Sequence, residues 1–209
     1  MRVSLIGPGN IDFHYKELLK ISDDDLKKHL DEIGEALASS GVEIELLPDK
    51  GVSMEIAKLY HKKSGKKIIA SVPEDDKTFG VKHLGDYKEN KLFDEVVNTG
   101  DWFKHDMIKG LMGDVVLYLG RSPGCEIERN SGVYLYKLFN GFGGMEIARK
   151  KVHSEIKANE GFTIFVYSPF LNGGKLSVED EVYMKSFEIN LVYVKDGAEL
   201  VEGLKKVKI

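Results

Sequence analysis

Cysteine is almost absent: Cys125 is the only one in 209 residues. An internal disulfide is therefore excluded, and a reducing compartment is the natural setting. No apolar run is long enough to cross a bilayer, and the opening "MRVSLIGPGN" is too short in its apolar part for a signal peptide. The expectation is a cytoplasmic protein without a membrane partner. A basic excess is also missing: 30 Lys and Arg stand against 34 Asp and Glu, for a net charge of −4. The cations are scattered rather than gathered in an arm or stripe, so nucleic acid is not the expected partner. Linkers, repeats and low-complexity tracts do not occur. One domain over 1–209 is the economical reading.

What is present is an alternation of strand-like and helical patterns. "RVSLI", "VEIELL", "KIIASV", "DEVVN", "DVVLYL", "FTIFVY" and "INLVYV" read as strands. Helical segments lie between them. "SDDDLKKHLDEIGEALASSG" has Ser22 as N-cap, Asp25 to complete a capping box and Gly41 just past its end. Further helices are read in "SMEIAKLYHKKSG", in "DWFKHDMIKGLM", from Glu126 onward, in 145–158, in "SVEDEVYMKSF" and in "GAELVEGLKKV". Strands separated by helices predict an α/β fold: a Rossmann-like three-layer sandwich with a mainly parallel sheet. Charged residues reach 31%, rich in Lys and Glu, a composition that leans toward a thermophile.

Open α/β sheets bind ligands beyond the carboxyl ends of their strands. Two loops there stand out. "GPGN" supplies Gly7, Gly9 and Asn10, two glycines for close backbone approach and an amide; a tight turn explains it equally well. "GRSPGCEIE", 120–128, leaves the most apolar strand and enters a helix. Amides at such a helix start favour a phosphate, with Arg121 as a charged donor, Ser122 as a hydroxyl, and Gly120, Gly124 and Cys125 lending backbone. The competing reading is that the glycines turn the chain while Glu126 and Glu128 complement the helix dipole. Cys125 has no histidine near it in sequence and reads as a small buried residue rather than a nucleophile. His105 and Asp106 head toward the same edge, where a histidine can serve as acid, base or phosphate partner, or simply lie at the surface. "GFGG" (141–144) follows a helix, so it is not read as a phosphate loop. The six histidines show no metal-ligand spacing, and neither a metal nor a cofactor is expected.

The order of these pieces resembles the LOG-type family, long mislabelled lysine decarboxylases, within the Rossmann-like superfamily that also holds the DprA-type proteins. Its signature is a strand running into a PGGxGTxxE loop and helix. Here "DVVLYLGRSPGCEIE" takes that place: Gly124 stands for a motif glycine, Cys125 for the threonine and Glu128 for the glutamate. The family's Arg-Lys pair, nine residues before the strand's Asp, falls on His105 and Asp106. "LPDKGVSME" keeps Gly51 and Met54 of the family's early glycine loop, and "SGKKIIASVP" and "INLVYVKDGAELVEGL" resemble further segments. Helix 145–158 looks like an insertion. The resemblance implies cleavage of the N-glycosidic bond of a nucleoside 5′-monophosphate, such as a cytokinin riboside monophosphate. Glu128 would then be the carboxylate near the ribose, and His105 the partner of phosphate or leaving base. It also implies a homodimer built through helices beside the site. Two other readings stay open: a non-catalytic nucleotide-binding or sensing domain of the same fold, and a nucleoside deoxyribosyltransferase.

Overall fold

The computed structural model describes residues 1–140 and 162–207. The segment "GFGG" and the helix read over 145–158 lie outside the described residues. Seven strands form one sheet: β1 (Arg2–Ile6), β2 (Glu43–Leu46), β3 (Lys67–Val72), β4 (Glu95–Asn98), β5 (Val115–Tyr118), β6 (Thr163–Tyr167) and β7 (Asn190–Val194). Their order is β4-β3-β2-β1-β5-β6-β7, and every pairing is parallel. The helices are α1 (Asp23–Ser39), α2 (Val52–Lys62), α3 (Trp102–Ile108), α4 (Pro123–Asn140), α5 (Val178–Ser186) and α6 (Gly197–Lys206). The chain starts in the middle of the sheet, winds outward to β4, and returns to β5 beside β1. That reversal puts the topological switch point between the ends of β1 and β5.

Burial follows from the layering. The central strands β1, β5 and β6 are buried along their whole length, as expected where helices cover both faces. Val3, Leu5, Ile44 and Leu46 face one layer and pack with residues of α1, α2 and α6. Ile6, Val116, Tyr118 and Ile164 face the other and pack with Cys125, Val133 and Tyr136 of α4 and Met184 of α5. Helix α1 shows why its sequence folds this way. The Ser22 hydroxyl accepts the Asp25 N–H at 3.1 Å. Leu26, Leu30, Ile33 and Leu37 form one buried stripe, each burial contributing about 1.5–3 kcal/mol. Gly41, at φ +63°, lets the chain turn away.

Two elements differ from the sequence reading. Residues Asp12–Leu18, which no helical period picks out, form a π-helix directly after the first loop. Helix α4 starts at Pro123, three residues before Glu126. Proline suits a first helical position because its missing N–H would have no intrahelical partner there, and Ser122 caps the turn by accepting the Cys125 N–H at 3.2 Å. Among the described residues no helix is long and apolar enough to cross a membrane.

Candidate functional site

Two turns and two helices meet at the carboxyl edge. The β1 turn brings Gly7 and Gly9, and the β2–α2 turn brings Asp49, Gly51 and Ser53. Lys109, just past α3, and Glu128, on α4, complete the lining of one small cavity of about 40 Å³. That is room for about one water molecule. The turns close tightly because Gly51 has no side chain: a Cβ there would lie 2.5 Å from the Pro8 carbonyl oxygen and 2.7 Å from the Gly9 Cα.

Beneath this cavity lies a polar cluster on an otherwise apolar sheet face. Lys109, 1% exposed, and Glu45, fully buried, pair at 2.6 Å. The Ser4 hydroxyl lies 2.7 Å from the Glu45 carboxylate and accepts from Lys109 Nζ at 3.2 Å. Ser71 donates to the other Glu45 oxygen. Beside Lys109 stand His105, Asp106 and Glu128. One ring nitrogen and one oxygen from each carboxyl all lie within 4.8 Å of one another.

His105 is pinned. Its Nδ1 lies 2.9 Å from Thr99 Oγ1, and Trp102 packs edge-on at 5.8 Å. Its Nε2 is buried with no hydrogen-bond partner. Burial, helped by the Lys109 charge, pulls its pKa down to about 3. His105 is therefore neutral at physiological pH, which corrects the reading of it as a cationic phosphate partner or a surface residue. Glu128 is pushed up to about 8, chiefly by burial; Lys109 opposes this, while Asp106 and Glu45 add to it. Asp106 is raised as well, again by burial. No hydrogen bond holds the carboxyl of Asp106 or Glu128 among the described residues.

The other residues singled out from the sequence do not converge on this cavity. Asn10 caps the π-helix, its side-chain oxygen accepting the Phe13 N–H at 3.0 Å. Gly120 and Arg121 line a second, mostly apolar cavity of about 60 Å³ with Pro8, Tyr15 and Phe170. At the switch point itself Tyr15 is fully buried and donates to the Leu119 carbonyl at 2.6 Å. Phe170 packs on its ring at 4.6 Å. The crevice between β1 and β5 is thus filled by side chains, and the polar opening moves to the β2 side of β1.

The start of α4 offers an anion less than the sequence promised. Pro123 has no N–H, and the Cys125 amide is taken by Ser122. Gly120 is required by its own backbone, φ +141°, with Pro8 and the Phe170 carbonyl crowding its position. Gly124 has no such constraint, since a Cβ there would meet nothing nearer than 4.0 Å. Arg121 is spent on Glu126 at 3.0 Å and Asp180 at 3.5 Å, and buried Arg129 binds the same two acids at 2.7 and 3.1 Å. Glu126 also accepts from the Tyr118 hydroxyl at 2.6 Å. The two glutamates of "CEIE" therefore separate: Glu126 ties α4 to β5 and α5, whereas Glu128 faces the cavity. Cys125 is buried in the core, its thiol pushed up to about 12 mainly by that burial, and is no nucleophile.

Sequence reasoning missed Lys109, Asp49 and Ser53, and it left Asp106 without a role. Lys109 carried a signal: a lone lysine within "MIKGLM", four residues after His105 on the same helical face. The histidine-spacing argument also missed the His105–Asp106–Glu128 cluster, because the fold assembles it from two helices.

Solved structures share this architecture. The molybdenum cofactor binding protein from the phototrophic bacterium Rippkaea orientalis superposes with a TM-score of 0.58 at 15% identity, over 98% of this chain and 94% of that one. The molybdenum cofactor carrier protein of Chlamydomonas reinhardtii does so with a TM-score of 0.56 at 16% identity, over 99% and 96%. What is shared is the fold, end to end. No family model matches the chain, and no curated protein does.

Proposed function

We propose that the chain, as a single LOG-like domain, binds a small molecule of the nucleotide class at the carboxyl edge beside β1. The observation that carries this is the convergence of the Gly7, Gly9 and Gly51 turns with Ser53, Lys109 and Glu128, whose carboxyl no described residue binds, around one cavity. Sharing a fold with two proteins named for binding or carrying the molybdenum cofactor supports small-molecule binding. The cavity itself holds about one water, so the ligand rests on the rim of glycine turns and only one of its groups reaches Glu128. Binding is favoured over phosphoribohydrolase chemistry because Lys109, the cation that lines the cavity, is committed to Glu45, and Arg121 and Arg129, away from it, are held by Glu126 and Asp180. One observation favours hydrolysis as a second reading. A Glu128 that keeps its proton at neutral pH can donate it to a departing base.

The test is a thermal-shift screen of nucleoside 5′-monophosphates, with inorganic phosphate as reference, followed by chromatography for released base. The expected result is a shift with at least one nucleotide larger than with phosphate, and no base released. Release of base by wild type but not by Glu128→Gln establishes the hydrolase. Base exchange between deoxyribosides points instead to a deoxyribosyltransferase. If no nucleotide produces a shift, the ligand class is wrong.

The same helices support a homodimer. Phe103 and Met107 on α3 and Ile127, Tyr134 and Leu138 on α4 are large, apolar and exposed, beside the helix positions that carry His105 and Glu128. Light scattering should give twice the 23.4 kDa chain mass. Ile127→Lys with Tyr134→Lys should reduce it to one chain mass; a monomeric wild type removes the proposal.

A further inference from the structure

We propose that His105, Asp106 and Glu128 form a binding site for one divalent transition-metal ion of the zinc class. Three features of the cluster point the same way. The donor set is one imidazole nitrogen and two carboxylate oxygens, already within 4.8 Å of one another. Zinc-class ions take nitrogen and oxygen ligands at about 2.0–2.2 Å, so a bound ion asks only for small side-chain rotations. No other bond holds either carboxyl back among the described residues.

The second feature is the histidine. His105 is completely buried, yet its Nε2 has no partner. A buried polar atom left unsatisfied is costly, and native structures rarely keep one without reason. Its Nδ1 lies 2.9 Å from Thr99 Oγ1, so an ion bound at Nε2 would find the ring already held through its other nitrogen, as metal-bound imidazoles commonly are. An imidazole in the set also selects against magnesium and calcium, which prefer oxygen ligands.

The third feature is charge. The Lys109 charge is offset in place, its ammonium held by Glu45 at 2.6 Å and by Ser4 at 3.2 Å. Binding an ion displaces the protons of its carboxyl ligands; with Asp106 and Glu128 so ionised, these two acids, Lys109, Glu45 and neutral His105 together carry two net negative charges. A dication balances them. Three protein ligands leave a coordination position free, and Glu128 also lines the cavity between the glycine turns. One water fits there, as at open metal sites.

Metal binding is measured without any organic ligand, so its outcome is independent of the small-molecule reading. Tag-free protein, stripped with a chelator, is titrated with Co²⁺ while its visible absorption is followed, and the Co²⁺ is then displaced with Zn²⁺. The expected result is one equivalent bound, with Mg²⁺ failing to compete. Glu128→Gln and Asp106→Asn keep side-chain volume and should each lose the visible bands. Thr99→Val, which touches no ion, should weaken binding by about 10–100-fold, the usual effect of losing a group that orients a ligand. Circular dichroism confirms that each variant is folded. A wild type that takes up neither ion at stoichiometric concentration overturns the proposal, and so do Glu128→Gln and Asp106→Asn proteins that bind like wild type.

Discussion

Lys109→Met should destabilise the protein by about 3–5 kcal/mol, the scale for stranding a buried charge. Lys109, just past α3, and Glu45, on β2, are both essentially inaccessible and sit 2.6 Å apart. Methionine matches the lysine stem but removes the ammonium. Glu45 would then keep only the Ser4 and Ser71 hydroxyls as partners, and neutral donors do not balance a buried anion. A domain of this size has only about 5–15 kcal/mol in hand, so the loss would be plain in a urea or guanidinium titration. The double variant Glu45→Leu/Lys109→Met separates pair from position. Removing both charges together should restore most of the loss, because a buried ion pair replaced by apolar side chains is often neutral or better. If Lys109→Met costs less than about 1 kcal/mol, the pair is not the electrostatic keystone of this sheet face.

The same pair shows where the sequence was legible and where it was not. "VEIELL" reads correctly as a strand, but the segment by itself does not say where its alternating acids go. In an interior strand of a parallel sheet both sides are covered. Glu45 must then find a cation from elsewhere, and the cation comes from a residue 64 positions away. The strand segments and the helix placement along the chain were readable because caps and apolar periods act locally: Ser22 and Gly41 bound α1 as expected. The π-helix was not readable, since its wider turn breaks the 3.6-residue period while bringing Tyr15 onto the Leu119 carbonyl. Glu128 was reached through a resemblance and Gly7 and Gly9 through turn chemistry, and these three line one cavity. The helix start at 120–125 was read as an anion cradle because glycine, serine and arginine suit one. The geometry assigns the same residues to a cap, a strained turn and an ion-pair network.

Stability should fall as pH rises from about 6.5 to about 8 in chelator-treated protein, and Glu128→Gln should flatten that fall. The sign follows from proton counting. Glu128 has its folded pKa raised from 4.5 to about 8, so above 4.5 the folded chain holds a proton that the unfolded chain has released. Raising pH through that window works against folding, and raised Asp106 acts in the same direction. His105 acts oppositely. Its folded pKa is pulled from 6.5 to about 3, so between those values the unfolded chain holds the extra proton and rising pH favours folding. His14, lowered by burial, adds to that arm. The two effects oppose each other between about 4.5 and 6.5, and above 6.5 only the carboxyl effect remains. One proton corresponds to a slope of at most about 1.4 kcal/mol per pH unit, readable from denaturant midpoints at pH 6.5, 7.25 and 8. A glutamine at position 128 has no proton to lose in this window. An unchanged slope in that variant would mean that Glu128 is already ionised at neutral pH and does not hold the proton that an acid in this cavity needs.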